Sequence, residues 1–107
     1  MNDVEARLSW DAWIRKPFPR GWASVSVNPV NDWPLAYLDY ECAADLARYF
    51  GDHGFKQGDL DGEHRRQLAE MVPDIELAIL ATEGAARAYF EALGVLARYV
   101  LDATSGP

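Results

Sequence analysis

Seven carboxylates, Asp39, Glu41, Asp45, Asp52, Asp59, Asp61 and Glu63, crowd the middle of this chain with only Arg48 and Lys56 to offset them, so five of its seven net negative charges lie there. Such a local excess attracts basic surfaces, speeds encounter with them and repels nucleic acid. The same stretch holds the only cysteine, Cys42, and one histidine, His53, and the only other histidine, His64, follows it directly. Imidazole titrates near neutrality and a carboxylate can orient it, which is the chemistry of an acid-base pair or of a metal ligand.

None of these groups completes a known pattern. Gln57-Gly-Asp59-Leu-Asp61-Gly62 resembles the centre of a calcium loop, but with Gly62 as the sixth position the first ligand is Gln57 and the closing glutamate is replaced by Leu68. The sequence therefore reads as an Asp-rich turn leading into a helix cap, with no metal site. No spacing ties His53 to His64, and the bland reading is two solvated imidazoles. Cys42 stands between Leu38 and Leu46 on an apolar stripe and among Asp39, Glu41 and Asp45. Neighbouring carboxylates raise a thiol's pKa, so a buried structural thiol is the expectation and no catalytic residue is assigned.

Asp39 and the aromatics carry more information. A helix beginning at Trp33 turns Asp39 toward its apolar side, where an unpaired carboxylate is costly. Asp39 is then either paired, or engaged with a partner, or itself the N-cap of a helix that starts later. Trp10, Trp13, Phe18, Trp22 and Trp33 cluster at the front, followed by Tyr37 and Tyr40. Rings of this kind fill cores and also dominate interfaces. Basic residues are not gathered around them, since Arg15, Lys16 and Arg20 make only a short patch, so base stacking on nucleic acid is not expected.

The elements that position these residues are mainly helical. Leu35, Leu38, Cys42, Leu46 and Tyr49 repeat at helical spacing, Asp32-Trp-Pro supplies a start and Gly51 a stop, which predicts a helix over residues 33 to 50. On it Glu41, Asp45, Arg48 and Asp52 share a side. Asp61 is placed to cap a helix from Gly62 to Val72, with Pro73 ending it or starting the next. From Asp74 to Asp102 the pattern is helical and apolar over more than half the circumference, as in a central or interface helix, with Gly84 as a break. Glu83 with Arg87, Arg87 with Glu91 and Arg98 with Asp102 have ion-pair spacing on its polar side. Ala81, Ala85, Ala88 and Ala92 form a narrow ridge expected to pack closely against a helix, within the chain or between two copies. Residues 4 to 15 fit either a helix with Val4, Leu8 and Ala12 on one face or an alternating strand. Trp22 to Val27 reads as a strand, which needs a mate: residues 8 to 15 in a hairpin, the same strand of a second subunit, or a bound partner. Thr104 to Pro107 reads as a frayed tail.

A chain of 107 residues, half of it apolar, fits one domain from 1 to 107 with a packed core. The expected fold is a mainly α, small helical bundle with a short N-terminal strand or β-hairpin. Charge interrupts every apolar run well short of the ~20 residues of a membrane span, and the N-terminus lacks the pattern of an export signal, so no membrane role and a cytoplasmic location are expected. A lone cysteine permits no intrachain disulfide.

For function, the reading is a small acidic, non-catalytic protein that blocks or holds a basic protein, for example a nuclease or other nucleic-acid-binding protein, in the manner of immunity proteins, antitoxins or phage inhibitors. That comparison is of charge and size and rests on no motif. The expected docking residues are Asp39, Glu41, Asp45, Asp52, Asp59 and Asp61, with Trp33 and Tyr37 beside them; no cofactor is implied. The alternative is a small oligomeric enzyme or ligand-binding domain with a Trp-lined pocket and His53 or His64 as acid-base group, and a third is a structural subunit, with a homodimer through the alanine ridge open to either.

Overall fold

The computed structural model describes residues 1 to 105. Four helices follow in order: α1 (Asp3–Ile14), α2 (Leu35–Phe50), α3 (Gly62–Ala81) and α4 (Gly84–Thr104). Contacts at their ends fix an up-down-up-down arrangement. Asp3 at the start of α1 meets Tyr99 near the end of α4, while Trp13 at the other end of α1 donates to the carbonyl of Tyr89 at 3.2 Å. Arg65 at the start of α3 likewise reaches Thr104 and the carbonyl of Leu101, so α3 and α4 form an antiparallel hairpin. One hydrophobic core draws on all four helices, and the Cα radius of gyration of 13.3 Å matches the ~13 Å of a compact chain this long.

The central position falls to α4, which contacts each of the other three helices. Phe90, Leu93, Leu96 and Val100 bury its broad apolar arc as the periodicity predicts. Gly84 does mark the break: with φ +61° it turns the chain after the short Thr82-Glu83 link. The polar side differs from expectation. Arg87 pairs with neither glutamate but donates from Nε to the carbonyls of Thr82 and Ile79 at 2.8 and 3.0 Å, satisfying the last turn of α3. Arg98 crosses to Glu76 on α3 instead of taking Asp102.

Three expectations are corrected. The stretch read as helix or strand is helix α1 up to Ile14, but the buried stripe is Ala6, Trp10 and Trp13, whereas Val4, Leu8 and Ala12 face out. The indole rings prevail because they offer far more area to bury. Second, α3 runs through Pro73 without stopping. Leu68 and Met71 before it and Ile75 and Ala78 after it all enter the core, while Pro73 itself is exposed, so its ring and its missing N–H fall on the outer side of the helix. Third, no strand forms at Trp22 to Val27 among the described residues; a single bridge joins Ser26 to Pro34. The segment turns at Ala23 and Ser24, where the Val25 amide donates to the carbonyl of Trp22 at 3.2 Å, and its carbonyls serve the start of α2: Leu35 and Ala36 donate their amides to the carbonyls of Val25 and Ala23 at 2.8 and 3.1 Å. Backbone thus caps α2, with Pro34 at the cap position, in place of the expected Asp32 side chain. Of the expected tail, Thr104 is the last residue of α4 and Arg65 holds it; positions 106 and 107 lie outside the described residues.

The glycine-rich stretch after α2 folds back onto that helix. Gly58 and Asp59 donate their amides to the carbonyls of Tyr49 and Arg48, and the guanidinium of Arg48 lies 4.3 Å over the Phe55 ring. Gly51 makes the return possible: its φ is +82°, and a Cβ there would stand 2.8 Å from the Gln57 nitrogen. Among the described residues, no helix is long and apolar enough to cross a membrane.

Candidate functional site

The acidic segment does not present one face. Asp45 lies on the inner side of α2 and is 1% exposed. Its Oδ1 is 4.0 Å from Arg48 Nε, and its Oδ2 has no hydrogen-bond partner among the described residues. Burial pushes its carboxyl up to about 6, with His64 and Arg48 pulling down and Glu41 and Asp61 adding to the rise. Helical spacing correctly put Asp45 one turn beyond Glu41; the stripe buried between Cys42 and Leu46 is wide enough to include it.

Asp52 is not on the helix at all, because Gly51 ends it. It turns toward α1, accepting from Arg7 Nη2 at 3.1 Å and from the Trp10 indole. Arg7 also donates to the carbonyl of Phe50 at 2.6 Å, so one cation ties α1 to the end of α2. Asp61 caps α3 as expected, accepting from the His64 amide at 2.8 Å and lying 2.9 Å from its Nδ1. These bonds to His64 hold the Asp61 carboxyl below the usual value. Glu41 is half-buried and accepts from Gln67 of α3 at 2.9 Å. Only Asp59 and Glu63 of the original seven remain exposed and without an intrachain side-chain bond among the described residues.

Asp39 sits in the second turn of α2, which removes its N-cap reading. It is paired: the Tyr89 hydroxyl donates to its Oδ1 at 2.6 Å. Burial raises the Asp39 carboxyl and the Tyr89 bond lowers it; Tyr89 in turn is raised, by burial and then by Asp39. Sequence gave no pointer to Tyr89, fifty residues away.

The aromatics divide. Trp10 and Trp13 stack in the core with Phe50 and Tyr89, and Trp22 is partly buried against it. Trp33 and Tyr37 remain outside, 47% and 43% exposed, with their rings edge to face at 5.1 Å. Tyr40 is 70% exposed on the same side of α2, and Val30 stands out in the preceding loop at 92%. Exposed Asp32 adjoins Trp33, and Glu41 adjoins Tyr40. Tyr40, Val30 and Asp32 were missing from the expected site; the three-residue step from Tyr37 on one side of the helix was available to find Tyr40, whereas Val30 and Asp32 lie in the loop before α2, where no helical spacing applies.

The remaining candidates take plain structural roles. Cys42 is fully buried, and burial, then Asp45 and Asp39, push its thiol well above the ordinary value, which leaves it an inert thiol. His53 is exposed in a left-handed conformation, and the described residues contain no group of three potential metal ligands. Of the alanine ridge, Ala92 is half-buried against the core, whereas Ala81, Ala85 and Ala88 are exposed and do not pack within the chain. Close packing of α4 on α3 occurs instead at Gly94, where a Cβ would lie 3.4 Å from Ile75.

Comparison with protein-family models, with curated proteins and with solved structures finds no match for this chain.

Proposed function

We propose that the protein is a non-catalytic binding protein that docks a basic protein through the exposed aromatic edge of α2. The observation that supports this most is the pair Trp33 and Tyr37, two large rings held edge to face at 5.1 Å yet open to solvent, with Tyr40 alongside. A soluble surface gains nothing from fixing such rings outside its core, whereas aromatic anchors dominate binding energy at interfaces. Exposed Asp32 at the margin, on a chain of net charge −7, favours a cationic partner and disfavours direct contact with nucleic acid. A protein surface built to hold phosphate, as in a nuclease, has the matching charge. The carboxylates of Asp39, Glu41, Asp45, Asp52 and Asp61 leave this account, because the chain's own groups engage them or bury them. The reading as an enzyme with a Trp-lined pocket has less to stand on, since Trp10 and Trp13 are core residues.

The test is capture from a lysate of the native source by the wild-type chain and by Trp33→Asp with Tyr37→Asp. Both positions are exposed, so the double variant should keep its thermal transition within the range typical of surface changes. The expected result is a basic protein retained by the wild type, lost by the variant, and associating more slowly as salt rises. Partners that bind both proteins equally, or that are acidic, sink the proposal.

A further inference from the structure

A second surface, of opposite charge, lies between the segment after α1 and the first turns of α4. Phe18 packs edge-on against Tyr89 and Phe90, with ring centroids 5.9 and 6.1 Å away, and so fixes Pro17 and Pro19 beside α4. Between them runs an open groove of about 610 Å³ with Ala85, Ala88 and Tyr89 along the helix side. Lys16 and Arg20 line it, both exposed and in no ion pair among the described residues, and no carboxylate lines it. Two unpaired cations beside an apolar trough are conspicuous on a chain of net charge −7.

We propose that this groove receives an amphipathic helix of a partner protein, one whose carboxylates flank a face of small apolar residues. Charge selects the partner: Lys16 and Arg20 complement acidic side chains, while the overall negative charge repels polyanions such as nucleic acid. Shape selects a helix. The alanine side chains on α4 let a second helix axis approach toward the ~8 Å limit. A strand finds no ladder here, because Pro17 and Pro19 have no N–H to donate. A small molecule would keep much of its surface wet in so open a trough, whereas pocket ligands bury about 70% or more of theirs. The groove also accounts for Ala85 and Ala88, two ridge residues that are exposed within the chain and line it. This inference uses residues separate from Trp33, Tyr37 and Tyr40, so it stands or falls independently of the proposal above.

The test is selection from a displayed library of helical peptides randomised on one face, against the intact chain and against Lys16→Glu with Arg20→Glu. Enriched peptides should carry Asp or Glu beside Ala or other apolar residues at i, i+3 and i+4. They should bind the double variant at least about tenfold more weakly, in line with lost charge complementarity. Amide shifts on peptide titration should centre on Phe18, Ala85 and Ala88, and Ala88→Asp, at an exposed position, should abolish binding with the helical circular dichroism intact. Enrichment of basic or uncharged peptides, binding indifferent to these variants, or no enrichment overturns the proposal. So does a dimer in sedimentation that Ala88→Asp dissociates, since the occupant would then be a second copy.

Discussion

The Tyr89 hydroxyl on α4 donates a 2.6 Å hydrogen bond to Oδ1 of Asp39 on α2, joining two helices at the same end of the bundle. The bond resolves a conflict visible in the sequence, since a carboxylate near the apolar side of α2 must find a partner or be strongly penalised. Removing either member leaves the other half-buried and unsatisfied. Tyr89→Phe and Asp39→Ala should each cost roughly 1 to 3 kcal/mol, and the double variant should cost little more than the worse single. Urea unfolding of the four proteins measures the coupling. Strict additivity would show that the bond contributes nothing.

Asp45 makes stability depend on pH with an unusual sign. Its folded-state carboxyl is raised to about 6 from 3.8, so between these values the folded chain holds a proton that the unfolded chain has released. Its contribution is therefore complete below about pH 4 and is lost as pH rises through 6, by about 3 kcal/mol at the limit. Asp39, raised in the same direction, adds to this trend, whereas Asp61, lowered, acts only as pH falls through its own range. Asp45→Asn removes one titration alone. The difference in unfolding free energy between variant and wild type should shift in favour of the variant from pH 4 to pH 7. A difference that stays constant across that interval removes Asp45 as the source.

What could be read in advance was what is periodic and local. The stripe Leu35, Leu38, Cys42 and Leu46 follows from helical geometry, and the cap at Asp61 follows from a side chain that acts three residues ahead. The acidic face failed for the opposite reason. Arg7 is 45 residues from Asp52 and Tyr89 is 50 from Asp39, and no spacing rule connects residues that meet only when helices pack. Pro73 misled because a local penalty of about 3 kcal/mol was set against core burial on both sides that only the assembled bundle provides. The strand expected at Trp22 to Val27 gave way to a turn at Ala23 and Ser24, because the carbonyls of Ala23 and Val25 serve the first amides of a helix and no second strand pairs with it among the described residues.

Gly51 and Gly21 separate two costs of adding a Cβ. Both have strongly positive φ, +82° and +89°, but only at Gly51 would the new atom strike backbone, 2.8 Å from the Gln57 nitrogen. Gly21→Ala should therefore cost about 1 kcal/mol from conformation alone. Gly51→Ala should cost distinctly more and loosen the return of residues 52 to 59 onto α2. Amide exchange at Gly58 and Asp59, which donate to Tyr49 and Arg48, should quicken in that variant. Equal melting temperatures for the two variants would show that the turn gives way freely.

Ala88 and Ala97 test where α4 is packed. Ala88 is exposed on the ridge, while Ala97 is fully buried on the opposite arc. Enlarging a fully buried alanine overpacks its surroundings and typically costs 1 to 3 kcal/mol, about the range expected for Ala97→Leu. Ala88→Leu in the isolated chain should change stability by less than about 0.5 kcal/mol, as surface substitutions do. Denaturant midpoints at constant slope give both numbers. A large loss from Ala88→Leu would mean that the ridge is covered in solution, and sedimentation at the same concentration would then show whether a second copy covers it.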